Sequence, residues 1–232
     1  MMPRSSPPYP GVAPTAALDA LGAPNASVAT MLGVDPQIEF DENGLAPCVA
    51  QDWRTGEVLT LAYMNEEALR RTRESGEAWF WSRSRGELWH KGQTSGNVMR
   101  VRELRFDCDL DAVLALVEPA GPACHTGERT CFHNGDLSPA PHEALPRLER
   151  VIAERRAKSP KGSYTAELLA EPVRIGDKVQ EEAEEAARAA REEDDGRLAA
   201  EAADLLYHLA VLLASRGLSL DDASEELNVR RR

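Results

Sequence analysis

The chain has 232 residues, with 27 Lys and Arg against 39 Asp and Glu, and a formal net charge of −12. That length allows one or two domains, and a balance of 42% hydrophobic to 28% charged residues is that of a globular chain and not of a disordered one. The acidic excess argues against a general nucleic-acid binder but leaves room for a small anionic ligand in a local cationic pocket, and no apolar run approaches the ~20 residues of a membrane span, the longest, 205–214, being broken by His208.

Residues 1–34 are rich in Pro and Ala and carry one basic residue, Arg4. They lack the basic-then-apolar layout of a secretory signal and read as a flexible extension. Four cysteines are too sparse for a disulfide framework. They point to a reducing cytoplasm, where free cysteines are more often metal ligands. Composition then shifts once. Trp53, Trp79, Trp81, Trp89 and all four cysteines precede residue 132, whereas the chain from 145 onward is rich in Ala, Glu, Leu and Arg. The intervening 134–144, with Pro139 and Pro141, reads as a linker. The expected organisation is therefore a domain at 35–133 and another at 145–232.

In the first domain, CVAQDW and EVLTLAYM flank the turn Arg54-Thr55-Gly56, a hairpin signature. Asn65 is placed to cap a short helix, EEALRRTRES, and Gly76 to end it. EAWFWSR and ELWHKG flank a second turn, Ser84-Arg85-Gly86, and residues 97–118 supply one or two strands. Without a βαβ rhythm, the pattern predicts a strand-rich α+β domain, not a nucleotide-binding parallel sheet. Read as extended chain, FDCDLDAV puts Asp107, Asp109 and Asp111 on one face and Cys108 on the other, with Phe106 and Leu110. Three carboxylates on one face call for a hard cation such as Mg²⁺. Downstream, ACHTGERTCFH places Cys124 and Cys131 in a Gly-containing loop, a spacing that is not a zinc-finger knuckle. Three thiols, Cys108, Cys124 and Cys131, leave a fourth tetrahedral position open, as in a catalytic zinc site. His125 beside them reads either as a general acid or base near neutral pH or as a surface loop histidine. Cys48 reads as a packed strand residue.

The second domain reads as helices at 146–158, 174–191, 197–215 and 221–227, joined by short loops into a small all-α bundle. Its Ala-rich faces make a thin core, so oligomerisation is expected. On a helical wheel Lys178, Glu182 and Glu185 fall within about 60° of one another. They border a stripe of Val179, Ala183, Ala186 and Ala190. Glu201 and Asp204 share an edge with Leu205 and Leu212, and His208 follows. Antiparallel packing would converge the four carboxylates, and oxygen-only ligation suits Mg²⁺ or Mn²⁺. Glu181 and Glu184 read as a solvated face.

EE-x-x-E followed by E-x-x-D resembles the metal-binding signature of the all-α NTP pyrophosphatase superfamily. RLERVIAERRAKSPKGSYTAELL, KVQEEAEEAARAA and EAADLLYHLAVLL extend this: residues 145–232 look like phosphoribosyl-ATP pyrophosphatase. The resemblance implies hydrolysis of phosphoribosyl-ATP to phosphoribosyl-AMP and pyrophosphate, with Mg²⁺ at Glu182, Glu185, Glu201 and Asp204. Lys178, Arg155, Arg156 and Lys158 are then candidate phosphate contacts, or else ordinary surface cations. NGLAPCVAQD, LAYMNEEAL, ELWHKGQTSGN, DCDLD and CHTGERTCF, in that order, resemble phosphoribosyl-AMP cyclohydrolase over residues 37–133. This implies zinc-dependent hydrolytic opening of the adenine ring, with Mg²⁺ at Asp107, Asp109 and Asp111 and zinc at Cys108, Cys124 and Cys131. It also implies a dimer whose zinc site is assembled from two chains. Arg83, Lys91 and the following loop with Thr94 and Ser95 are candidate phosphate contacts, and His133 stands where the resemblance implies an aromatic residue. Both resemblances together imply two consecutive steps of histidine biosynthesis, by a cytoplasmic homodimer acting on nucleotides, with no nucleic-acid or membrane partner. The alternative is a general NTP pyrophosphatase fused to a non-catalytic zinc dimerisation module.

Overall fold

Turn and cap chemistry sets the first elements of the computed structural model, which describes residues 37–135 and 139–231. The expected extension at 1–34 lies outside the described residues. Strand β1 (Ala46–Asp52) turns through Arg54-Thr55-Gly56 into antiparallel β2 (Val58–Met64). Asp52 Oδ1 accepts the backbone N–H groups of Arg54 and Thr55 at 2.9 and 3.0 Å, and Gly56 takes φ +72°, which an L side chain resists. Helix α1 (Glu66–Ser75) starts where Asn65 Oδ1 accepts the Ala68 N–H at 2.8 Å, a cap worth about 1 kcal/mol. It stops at left-handed Gly76. Strands β3 (Trp79–Ser82) and β4 (Glu87–His90) form the second expected hairpin, and β5 (Met99–Phe106) and β6 (Val113–Pro119) form a third.

Among the described residues the strands make one six-stranded sheet in the order β4-β3-β2-β1-β6-β5. All pairings are antiparallel except β1 with β6, which run parallel with Cys48 opposite Val113. Sequence pattern does not reveal that pairing, because it joins segments far apart in the chain. Phe80, Leu59, Met64 and Met99 are fully buried in the core under the sheet, each contributing about 2–3 kcal/mol relative to exposure.

The second compact unit begins at Pro139 and is helical: α2 (Ala144–Lys158), α3 (Tyr164–Ala170), α4 (Pro172–Glu192), α5 (Asp195–Ser215) and α6 (Leu220–Arg230). Ser163 caps α3 by accepting the Ala166 N–H. The bundle core is Ile152, Leu168, Ile175, Ala210 and Val211. Helix α4 buries Ile175, Glu182 and Ala189, while Ala183 and Ala190 are exposed, so its inward stripe is rotated from the expected one. By length and composition α5 is apolar enough to cross a membrane, unlike the apolar runs counted residue by residue; here it packs against α4 and carries buried Glu201 and His208.

Candidate functional sites

The carboxylates of DCDLD meet through a turn and not through strand alternation. Strand β5 ends at Phe106, and Leu110 adopts φ +65°. Asp107 Oδ1 accepts the backbone N–H groups of Asp111 and Ala112, both at 3.0 Å, and so closes the turn on itself. Asp107, Asp109 and Asp111 come within 4.8 Å of one another, all exposed. The Ala112 N–H bond holds the Asp107 carboxyl below its ordinary range, with the neighbouring side chains and the Asp111 N–H acting the same way against some desolvation. The negative charge of Asp109, then that of Asp107, pushes Asp111 upward. Cys108 is exposed on this turn, 3.8 Å from Asp109 Oδ1.

Cys124 and Cys131 sit together elsewhere on the same unit. Cys131 N donates to Leu59 O at 2.8 Å, which pins that thiol to β2. The Thr126 hydroxyl donates to Cys124 Sγ at 3.1 Å. The Thr126 hydroxyl and amide draw the Cys124 thiol below its ordinary range, burial opposes them, and Cys131 and His133 assist. His125 Nδ1 lies 3.8 Å from the same sulfur. Lys91 is buried beside the pair; burial lowers its pKa and the two thiolates oppose that shift. Among the described residues of one chain, Cys108 does not join Cys124 and Cys131 in a ligand group. Cys48 is separate again, and burial pushes its thiol up to about 12.

The loop after Lys91 depends on Gly92. At φ +88° a Cβ there would lie 2.3 Å from the Asn97 carbonyl carbon and the Val98 nitrogen. Thr94 and Ser95 are exposed on this loop. Arg83 stacks its guanidinium 3.7 Å over the Tyr63 ring, beside a shallow groove of about 510 Å³ that Leu61, Tyr63, Trp81 and Trp89 help to line. From the sequence alone Tyr63 and Trp81 carry no assigned role, although the alternation of Trp81 with buried Phe80 puts Trp81 on the face opposite Phe80.

In the helical unit Glu182 on α4 meets Glu201 and Asp204 on α5, again within 4.8 Å. Glu201 is 2% exposed; Arg197 pairs with its Oε1, but no directed hydrogen bond reaches that atom. A buried oxygen met by one ion pair and no directed hydrogen bond, beside two further carboxylates, suits a hard divalent cation. Glu185 is not in this group; it lies 3.6 Å from Arg188 and faces an open groove of about 310 Å³ with Asp177, Gln180, Glu181 and Glu184. His208, buried behind Glu182, donates from Nδ1 to Asp204 O at 2.9 Å and receives the Tyr164 hydroxyl at Nε2, 3.2 Å away. Lys178 Nζ is bound by Glu181 at 2.6 Å, a hydrogen bond that raises its pKa against partial desolvation. Arg155, Arg156 and Lys158 are exposed at the C-terminal end of α2, with Lys158 held by Glu154 at 2.7 Å.

A mixed sheet carrying a thiol pair and a carboxylate turn, followed by a bundle with a carboxylate group of two buried members and one exposed, has the donor groups of a two-unit metal-dependent hydrolase, the class to which its relatives belong. The family model of phosphoribosyl-AMP cyclohydrolase matches residues 60–133, and that of phosphoribosyl-ATP pyrophosphohydrolase matches 145–231. The chain is 51% identical over 198 residues to the histidine biosynthesis bifunctional protein HisIE of Bacillus subtilis, covering 84% of this chain and 95% of that one. It is 47% identical to the protein of that name from Oceanobacillus iheyensis (83% and 91% covered) and 48% identical to that from Gloeobacter violaceus (88% and 94%). The chain belongs to this family of bifunctional histidine-biosynthesis hydrolases. Its expected two-domain fold class and its enzyme class are those of the family.

Proposed function

We propose that the helical unit, 145–232, hydrolyses phosphoribosyl-ATP to phosphoribosyl-AMP and pyrophosphate, and that the sheet unit, 35–133, opens the adenine ring of the product, with 134–144 as linker. The observation that carries this reading is the difference in donor sets: carboxylates alone in the helical unit, with Glu182 and Glu201 buried, and a thiol pair in addition to the carboxylate turn in the sheet unit. Glu182, Glu201 and Asp204 would hold Mg²⁺, with Glu185 adjoining; Asp107, Asp109 and Asp111 would hold a second Mg²⁺, and Cys124 and Cys131 would hold Zn²⁺. When bound, these ions supply charge neutralisation for polyphosphate and an activated water for attack on the ring. Tyr164 and His208 orient Glu182. Lys178 and Arg83 present cations to phosphate, assisted by Arg155, Arg156, Lys158 and the loop of Thr94 and Ser95. Lys91, buried against the thiols, offsets their negative charge. His125, beside Cys124, is placed to move a proton at its ring nitrogens.

Cys108 lies apart from Cys124 and Cys131, so a three-thiol site needs a second copy of the chain; this supports a homodimer. Four free thiols, two of them exposed, fit a reducing cytoplasm. The general NTP pyrophosphatase with a non-catalytic module is disfavoured, since both halves match catalytic families. The test is mass spectrometry of the products formed from phosphoribosyl-ATP by the full chain. With Mg²⁺ alone added after chelation the reaction should stop at phosphoribosyl-AMP, and Zn²⁺ should carry it to the ring-opened product. Ready hydrolysis of common dNTPs with none of phosphoribosyl-ATP would sink the reading.

A further inference from the structure

Arg129 stands between the two thiols in the chain and reaches back across 72–77 residues to the β1–β2 turn. Its Nη2 donates to Asp52 Oδ2 at 2.8 Å and its Nε to Glu57 Oε2 at 2.6 Å. Both acceptors are oriented independently of it. Asp52 spends its other oxygen on the Arg54 and Thr55 N–H groups, and Glu57 accepts the Thr55 hydroxyl at 2.9 Å. The Asp52 side chain is 7% exposed and that of Glu57 13%, so the fork is held largely out of water.

On its own loop, Arg129 closes a tight hairpin. Ala123 N donates to Arg129 O at 3.1 Å, Cys124 N to Glu128 O at 3.0 Å and Gly127 N to Cys124 O at 3.1 Å. Cys131 reaches the sheet directly through Leu59 O, with the Thr130 hydroxyl on Val58 O at 2.8 Å. The two sulfurs therefore hang from one strand hairpin by separate attachments: Cys131 by its backbone, Cys124 through Arg129.

We infer that Arg129, braced by Asp52 and Glu57, is a positioning residue that sets the separation of Cys124 and Cys131 for metal capture. The inference rests on the proposed reading of that pair as zinc ligands. A planar guanidinium donates along two fixed directions to two carboxylates; a lysine ammonium is a point charge that satisfies one of them while leaving the hairpin docked. Geometry and simple anchoring thus make different demands at this position.

The experiment uses the full chain as Arg129→Lys, Arg129→Gln and Asp52→Asn, with Cys124→Ser for reference. Zn²⁺ affinity is read by chelator competition, and thiolate ligation by the absorption of Co²⁺ in its place. The melting temperature of the metal-free protein and pyrophosphate release report on folding. Arg129→Lys is expected to lose about 10- to 100-fold in Zn²⁺ affinity, with weakened Co²⁺–thiolate absorption and normal pyrophosphate release, the loss exceeding what any fall in the metal-free melting temperature accounts for. Wild-type Zn²⁺ affinity in Arg129→Lys, or a loss that merely tracks the metal-free melting temperature through all three variants, overturns the inference. Should Arg129→Gln fail to fold, Arg129→Lys and Asp52→Asn still decide it. Equal Zn²⁺ binding by wild type and Cys124→Ser overturns the thiol-pair reading, and the inference with it; loss in Cys124→Ser with none in Arg129→Lys overturns the inference alone.

Discussion

His208 Nδ1 stands 3.5 Å from Oε1 of Glu182, with 7% of one side chain and 10% of the other exposed. The imidazole gives its Nδ1 proton to Asp204 O and accepts the Tyr164 hydroxyl at Nε2, so it links α3, α4 and α5 at the carboxylate group. His208→Phe keeps an aromatic ring, somewhat larger than the imidazole, and removes both nitrogens. The Asp204 carbonyl keeps its helical N–H partner and Tyr164 is 41% exposed, so the lost hydrogen bonds cost only about 1 kcal/mol of stability. The Mg²⁺ concentration for half-maximal pyrophosphate release should rise about 10-fold, as for loss of a group that orients a ligand. A melting temperature that falls with no change in the Mg²⁺ titration would reduce His208 to packing.

Glu201 gives the opposite sign in the absence of metal. Its Oε1 is buried with no directed hydrogen bond, and its ion-pair partner Arg197 is half exposed. Neutralising the carboxylate removes a desolvated charge, while Arg197 returns to water at small loss. Glu201→Gln should therefore stabilise the chelated protein, by about 1–2 kcal/mol in urea unfolding of the helical unit. The same change should abolish the Mg²⁺-dependent rise in stability and pyrophosphate release. Wild-type behaviour in both measurements would remove Glu201 from the metal site.

The aspartate turn predicts a pH dependence. Asp107 has a lowered folded pKa, so its stabilisation is present above the unfolded value of 3.8 and is lost as pH falls through the folded one. Asp111 has a raised folded pKa: relative to acid, stability falls as pH rises from 3.8 through its folded value, because ionisation brings it against Asp109 and Asp107. In chelator, Asp111→Asn should raise the melting temperature at pH 7 and leave it unchanged well below the carboxylate range. Added Mg²⁺ should stabilise the wild type and not Asp111→Asn. Equal Mg²⁺ stabilisation of both would exclude Asp111 as a ligand.

Local chemistry in the sequence indicates most of this fold. The turns at Arg54-Thr55-Gly56 and Ser84-Arg85-Gly86, the Asn65 cap and the Gly76 stop all lie within a few residues of what they control. DCDLD misleads because period-two alternation presumes a strand, whereas Asp107 captures the amides of Asp111 and Ala112 and ends β5 early. The rotated face of α4 has a similar origin. Alanine is apolar enough to enter a predicted stripe and small enough to sit in water, so Ala183 and Ala190 carry little orientation, and buried Glu182 runs against the pattern. The Arg129 fork is illegible in sequence because its acceptors are 72 and 77 residues away. The parallel β1–β6 pairing is hidden by distance in the same way.

The four thiols divide by environment, and alkylation should report the division. Cys108 and Cys131 are exposed, and Thr126 draws Cys124 toward the thiolate. Cys48 lies fully buried between β2 and β6, and its pKa of about 12 leaves almost no thiolate at pH 8. Iodoacetamide at that pH, followed by peptide mass spectrometry, should label Cys108 and Cys131 readily in the chelated protein, Cys124 more slowly because it is buried, and Cys48 only in denaturant. Zn²⁺ should protect Cys124 and Cys131. Because the folded Cys48 pKa is raised above the unfolded 9.0, the stability it contributes is complete below pH 9 and declines as pH climbs toward the folded value. Cys48→Ala should accordingly flatten the alkaline limb of the stability curve while lowering its plateau, since a small cavity replaces the sulfur. Native-state labelling of Cys48 at the rate of Cys131 would show that the β1–β6 junction opens far more readily than its burial implies.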